Sequence, residues 1–218
     1  LSPEESENIN LGILWNPIKN LSLKMDYWSI DYSNVITIES AQGKVINEPF
    51  NKDIKRTIDG TLIGVTTKYF NAANVDTNGI DLELNYENNT NFGLLNLGLR
   101  GTHILEYKIP GINGSVIDVV GLFNHDNFAR SLPETKIVLN TSLSNNNHTF
   151  SLFGRYISDY STTRPLSSAA KSAGFNQKID QWLTFDIQYS YSLALSGNEI
   201  RLSIGGNNIL DKDVPIVY

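Results

Sequence analysis

Apolar and polar side chains alternate along most of this chain in runs of about ten residues or more. That period of two is the side-chain period of a β-strand, whose successive residues point to opposite faces. In "LSLKMDYWSIDY", Leu21, Leu23, Met25 and Tyr27 fall on one face, opposed by Ser22, Lys24 and Asp26. "SENINLGILW" sets Ile9, Leu11, Ile13 and Trp15 against Asn8, Asn10 and Gly12. The same template fits "NGIDLELNYE", "LLNLGLRGTHILEY", "ETKIVLNTSL", "HTFSLFGRYIS", "WLTFDIQYSYSL" and "EIRLSIGGNN". Helical stripes are nearly absent, so the chain is predicted to be all-β and antiparallel, with about eight strands. Phe153 is an imperfection on the polar face of its strand, and parity places Tyr107 on the apolar face.

The connections alternate in length. "NPIKN", "ENNTN", "SNNN" and "SGN" are short and rich in turn-forming residues, whereas roughly 33–68, 108–132 and 159–180 are long. Short turns at one end and long loops at the other suit a transmembrane β-barrel with periplasmic turns and extracellular loops. Strand length agrees, since about ten tilted residues cross a bilayer whereas soluble strands average about five or six. Trp15, Tyr86, Tyr189 and Tyr191 lie near the turns, while Tyr27, Tyr107 and Tyr156 lie near the loops, as two interfacial girdles would. A soluble or secreted antiparallel β-sandwich with a structural or adhesive role also alternates. It predicts that the apolar faces pack on each other; the barrel predicts one continuous lipid-facing band.

Composition fits either fold. Only 40% of the 218 residues are hydrophobic, and no apolar run approaches the roughly 18–20 residues of a spanning helix. A barrel tolerates such a composition because half of each strand faces the lumen. The net charge of -6 argues against a nucleic-acid partner held by a broad basic surface. With no cysteine, disulfides and thiolate chemistry are absent. "LSPEESENIN" has neither a basic n-region nor an apolar h-region, which reads as a processed or internal start. If the short turns are periplasmic, both chain ends fall on the extracellular side, so the closing strand and earlier strands are expected to be missing.

"LSPEESENINLGILW", "VDTNGIDLELNY", "LPETKIVLNTSL" and especially "LSIGGNNILDKDVP" resemble barrel strands of TonB-dependent outer-membrane receptors. The last is similar to that family's penultimate strand and its Asn-Asn-Leu-Phe-Asp-Lys type motif, with Ile209 and Leu210 replacing the commoner Leu-Phe pair. The resemblance implies that residues 1–218 are part of a larger, 22-stranded barrel, without the plug domain, the TonB-box segment or the final strand. The intact protein would then sit in the outer membrane of a Gram-negative bacterium among its lipids. It would bind a scarce nutrient (an iron-siderophore, cobalamin or an oligosaccharide) and import it when the TonB complex acts on its plug.

The charged residues with polar-face parity are Lys24, Asp81, Glu83, Arg100, Arg155, Asp186 and Arg201, expected to face the lumen and pair with one another, water or the plug. Loop residues Phe123, His125, Arg130, Arg164 and Phe175 are candidates for ligand contact, since recognition commonly sits on loops of a rigid scaffold. His103, His125 and His148 lie on separate segments without ligand spacing, so no metal is expected. "HDNF" and "DKD" lack the calcium-loop pattern, and no nucleotide-binding or nucleophile-elbow motif appears. No catalytic residue and no cofactor is assigned, and the chain is not read as an enzyme. The Asn-x-Ser/Thr positions Asn88, Asn113, Asn140 and Asn147 would carry glycans only in a eukaryotic secretory pathway.

Overall fold

The computed structural model describes residues 1–71, 74–111, 115–125, 129–196 and 198–216; Asn113 and the last three residues of "HDNF" lie outside them. In chain order the elements begin with β1 (Glu5–Ile18) and β2 (Leu21–Ser33), followed by an excursion containing β3 (Ile36–Ile38), α1 (Ala41–Asn47), β4 (Ile54–Arg56), β5 (Leu62–Val65) and β6 (Tyr69–Asn71). β7 (Val75–Thr90) and β8 (Gly93–Pro110) lead to a second excursion with β9 (Val116–Asp118), β10 (Leu122–Phe123) and β11 (Ser131–Leu132). β12 (Thr135–Asn145) and β13 (His148–Ile157) precede a third, with β14 (Tyr160–Thr162), α2 (Ser168–Ser172) and β15 (Lys178–Ile179). β16 (Trp182–Leu195) and β17 (Asn198–Gly206) close the series.

The long strands form one antiparallel sheet in the order β1-β2-β7-β8-β12-β13-β16-β17, with β9 added to the end of β8. Within each hairpin the two-residue connection leaves no other partner within reach, and β2–β7, β8–β12 and β13–β16 pair across the long excursions, so the order in space follows the order in sequence. The three long connections, read in the sequence simply as loops, carry short strands and two short helices of their own.

Register decides what each face presents, since a one-residue slip moves every side chain to the other face. Across the sheet Ile13, Met25, Leu82, Gly101, Ile137, Tyr156 and Leu183 stand in one row. The next row is Trp15, Leu23, Leu84, Leu99, Leu139, Gly154 and Phe185. Beyond it lie Leu21, Tyr86, Leu97, Thr141, Leu152 and Ile187, then Leu95, Leu143, Phe150, Tyr189 and Ile204. The apolar faces therefore merge into one band, and that band is bare: Leu11 is 72% exposed, Leu82 50% and Phe150 57%. Among the described residues no second sheet covers it, so the packed apolar interior that a sandwich requires is absent.

The principal buried apolar cluster lies at the loop end, on the polar face. Val75, Ile109 and Val119 form it, with Val35, Tyr107, Leu122, Ala129 and Leu132 packed around them. Tyr107 reaches this cluster through a bulge. Asn78 pairs with Glu106 but Gly79 with Ile104, so Leu105 is skipped and Tyr107 stands opposite Thr77. Parity counted along the sequence put Tyr107 on the apolar face; the extra residue reverses it. Beside the bulge, a Cβ on Gly79 would lie 2.5 Å from Trp28 Cζ2, so a glycine lets the indole cross this strand.

The first excursion is organised by one lysine. The Lys44 side chain, 10% exposed, donates to Glu39 Oε2 at 2.5 Å, Asp53 Oδ2 at 2.9 Å and the Thr66 carbonyl at 3.2 Å. Ser40 caps α1 by accepting from the Gly43 amide at 3.0 Å, which places Lys44 one turn on, between the two acids. Lys44 holds Glu39 and Asp53 below the usual carboxylate range, and they in turn raise the lysine above its ordinary value. The lowered acids contribute stability that is present above their ordinary values and lost as pH falls through the depressed ones. The raised lysine contributes below its ordinary value and loses it only as pH rises through the raised one.

Segment 39–68 is therefore expected to keep its hydrogen-exchange protection across neutral pH and to lose it below about pH 4. Lys44→Met should remove that protection at neutral pH as well; equal protection in variant and parent would refute the lysine's organising role. At the opposite end, Gly93 has φ +126° and a Cβ there would lie 2.2 Å from the Ser144 carbonyl oxygen. Gly93→Ala is expected to destabilise by more than about 1 kcal/mol in denaturant unfolding. Gly64→Ala, where a Cβ meets nothing within 4 Å, serves as the neutral control.

Candidate functional site

All seven charged residues singled out in the sequence stand on the polar face. Lys24, Glu83, Arg100, Val138, Arg155 and Thr184 form one row, with Asp26, Asp81, Thr102 and Lys136 in the next. The charges pair locally, either two residues apart along one strand or across to its neighbour. Lys24 Nζ is 2.7 Å from Asp26 Oδ2, Arg100 donates to Glu83 at 3.2 Å, and Thr102 donates to Asp81 at 2.7 Å. Arg201, nearer the turns, is 3.8 Å from Glu199. Pairs this exposed add little stability; their effect is to leave the face polar with its charges largely matched.

Arg155 and Asp186 are tied to something larger. Asp186, mostly buried, accepts from Arg155 at 2.6 Å through one oxygen and from the Asn208 amide at 2.8 Å through the other. Asn208, at φ +48°, closes its own turn: its side chain accepts from the Lys212 amide at 3.0 Å and donates to the Lys212 carbonyl at 3.1 Å. The "NNILDKD" stretch is thus a turn closed by Asn208 and clamped to β16 by Asp186. Asparagine suits the position because it tolerates the left-handed region and supplies both a donor and an acceptor.

Toward the turn end amides and hydroxyls come to predominate on the polar face, beside Lys19 and Glu87. Asn96, Asn140, Ser142 and Ser151 surround Phe153 along a groove of about 680 Å³. Phe153, an anomaly of alternation in the sequence, is the aromatic element of this amide and hydroxyl wall.

The loop candidates are assembled by backbone pairing. β10 runs parallel to β14, with β11 and β15 on the outer sides, so the second and third excursions form one small sheet. Phe123 pairs with Thr162, and the Thr163 hydroxyl accepts from the His125 amide at 2.8 Å, bringing Phe123, His125 and Arg164 to one junction. Asn124, 1% exposed, donates to the Arg130 carbonyl at 3.0 Å and the Val119 carbonyl at 3.3 Å. That bond fixes Arg130, itself at φ +57°, beside Asn124. Gln177 donates to the Thr162 and Arg164 carbonyls, both at 3.2 Å. Phe175 follows α2, its amide bonded to the Ala170 carbonyl at 3.1 Å, with the residue 42% exposed.

Asn124, Thr163 and Gln177, which build the junction, were missed by sequence reasoning. Their only signal was the turn propensity of Asn and Thr, which carries no information about a partner on another loop. Among the described residues no group of three His, Asp or Glu side chains could hold a metal ion.

Among proteins of curated function nothing matches the sequence. Solved structures do. A variant of the ferric enterobactin receptor PfeA from Pseudomonas aeruginosa superposes with a TM-score of 0.64 at 16% identity, over 96% of this chain and 26% of that one. The outer membrane transporter YddB from Escherichia coli gives 0.62 at 14% identity, over 97% and 29%. The ferripyoverdine receptor of the outer membrane of Pseudomonas aeruginosa gives 0.61 at 17% identity, over 97% and 24%. The chain thus spans about a quarter of the length of these structures, and at such identity the likeness concerns the fold. Residues 1–209 match the family described as TonB dependent receptor-like, beta-barrel, and the chain belongs to that family.

Proposed function

We propose that residues 1–218 form part of the barrel wall of a receptor in the outer membrane of a Gram-negative bacterium. The intact protein would capture a scarce nutrient outside the cell and import it with energy delivered by the TonB complex through a plug domain. The observation that carries this reading is the bare apolar band, continuous across eight register-locked strands and backed by a polar face. A lipid surface makes such a band favourable, and backbone pairing between neighbouring strands satisfies peptide groups that hydrocarbon could not. The edges β1 and β17 each have one strand partner among the described residues. In a membrane both edges require further strands, so the sheet is an arc of a larger barrel.

The ligand class favoured is an iron chelate. Structural neighbours bear the names of ferric enterobactin and ferripyoverdine receptors, and anionic ferric complexes suit the exposed Arg130 and Arg164 of the joined loops. The polar-face charges line the lumen and meet the plug or water. The chain holds no catalytic group in this scheme: the wall positions recognition loops and the energy enters elsewhere.

The membrane assignment is checked with single cysteines, since the chain has none of its own. Spin labels at Leu82→Cys and Ile187→Cys in the membrane-reconstituted full-length receptor should collide preferentially with oxygen, and labels at Asn140→Cys and Ser142→Cys with a water-soluble nickel chelate. Nickel preference at all four positions would sink the barrel reading. For the ligand, Arg130→Ala combined with Arg164→Ala is expected to weaken ferric-siderophore binding about tenfold, the loss of one charged hydrogen bond. Unchanged titration curves would remove both arginines from the ligand site.

A further inference from the structure

We propose that Asn145 and His148 form a docking point for the phosphodiester of a membrane phospholipid, at the turn-side rim of the lipid-facing band. The inference rests on the barrel-wall reading but concerns a site that import does not use. The β12–β13 register places Asn145 directly opposite His148, one row beyond Leu143 and Phe150 and on the same face. On this hairpin the apolar residues give way, in a single step, to a carboxamide and an imidazole, while the row continues on β16 and β17 as Tyr191 and Leu202. From the Ile137 row to this one the strand advances eight residues, or about 26 Å, which at a tilt near 45° is about 19 Å of height. That is most of a hydrocarbon band of about 25 Å, so the pair falls at the level of lipid headgroups.

The imidazole is held in place. Its Nδ1 lies 2.7 Å from the Tyr189 hydroxyl, and its ring tilts against Tyr191 at a centroid distance of 4.8 Å. Phe150 in turn supports Tyr189 at 4.9 Å. In the proposed site the Tyr189 hydroxyl donates to Nδ1, which leaves Nε2 as the ring nitrogen that donates outward. Among the described residues neither Nε2 nor the Asn145 side chain has a hydrogen-bond partner on the protein. Two adjacent donors are therefore open on a membrane-facing rim, and neither their own row nor the apolar row beside it contains a carboxylate. An acceptor-only anion with two oxygens on one atom satisfies both donors, and at this depth the lipid phosphodiester is the group that supplies it. Tyrosine and tryptophan enrich such rims as amphipathic rings; here two tyrosines are used to orient a third ring.

The test uses the full-length receptor extracted with its lipids and examined by native mass spectrometry. His148→Phe keeps a ring against Tyr191 and removes the donor; bound phospholipid is expected to fall about tenfold. His148→Gln, which retains a donor, should recover most of it, and Tyr189→Phe, which frees the ring nitrogen, should show an intermediate loss. Equal lipid occupancy in parent and His148→Phe would overturn the proposal. So would displacement of the lipid by inorganic phosphate, which would make this a free-phosphate site. Failure of the barrel reading shows separately, as loss of oxygen preference by the label at position 82.

Discussion

Everything in this sheet depends on hydrogen-bonded register. Each strand is apolar on one face only, so a slip of one residue between any pair would put Lys24, Glu83 or Arg100 into the apolar band. In hydrocarbon such a slip costs several kcal/mol for every charge or peptide group left unpaired. The devices that prevent it are local. The two-residue connections fix the phase of each hairpin, and Gly93 admits an approach to the Ser144 carbonyl that no side chain could share. Register shifts at the turn end of β1, between Trp15 and Ile18, and at Leu105; the second comes where the sheet passes into its loops, and there reversed parity packs Tyr107 against the buried cluster.

Register also explains the pattern of charge on the polar face. Side chains that stand opposite on neighbouring strands are close enough to pair: Glu83 faces Lys24 on one side and Arg100 on the other, while Asp81, which faces Asp26, is served by the Thr102 hydroxyl. Asp186 extends the principle from side chains to backbone. By accepting from Arg155 and from the Asn208 amide it anchors the point at which β17 gives way to the Asn208 turn.

Most of the framework was legible in the sequence because a two-faced strand writes its period directly. The eight long strands, their short turns and the residues of each face follow from alternation alone, as in Leu21 to Tyr27 against Ser22 to Asp26. The resemblance of "LSIGGNNILDKDVP" to the penultimate strand supplied the family. Tyr107 was misplaced because a bulge adds one residue without changing composition. The junction between the second and third excursions was invisible for a different reason. The pairing of Phe123 with Thr162 joins two-residue and three-residue strands far apart in sequence, and neither is long enough to show a period.

That junction gives the loop end a mechanical property which none of its residues has alone. The second and third excursions share backbone bonds from Gly121 and Phe123 to Ser161 and Thr163, so displacing one strains the other. The first excursion is built differently, around the ion-paired Lys44 and its own two hairpins, and it contributes Val35 to the cluster beneath the joined pair. A ligand that touched Phe123 or Arg164 would therefore act on two loops at once. Its effect would pass to the wall through Val119 and Tyr107, where the Val119 amide bonds the Tyr107 carbonyl immediately beyond the bulge. The same extra residue that breaks alternation is thus what lets the second excursion rest on the polar face of the sheet. Without it Tyr107 would stand on the apolar face and the cluster would lose its floor.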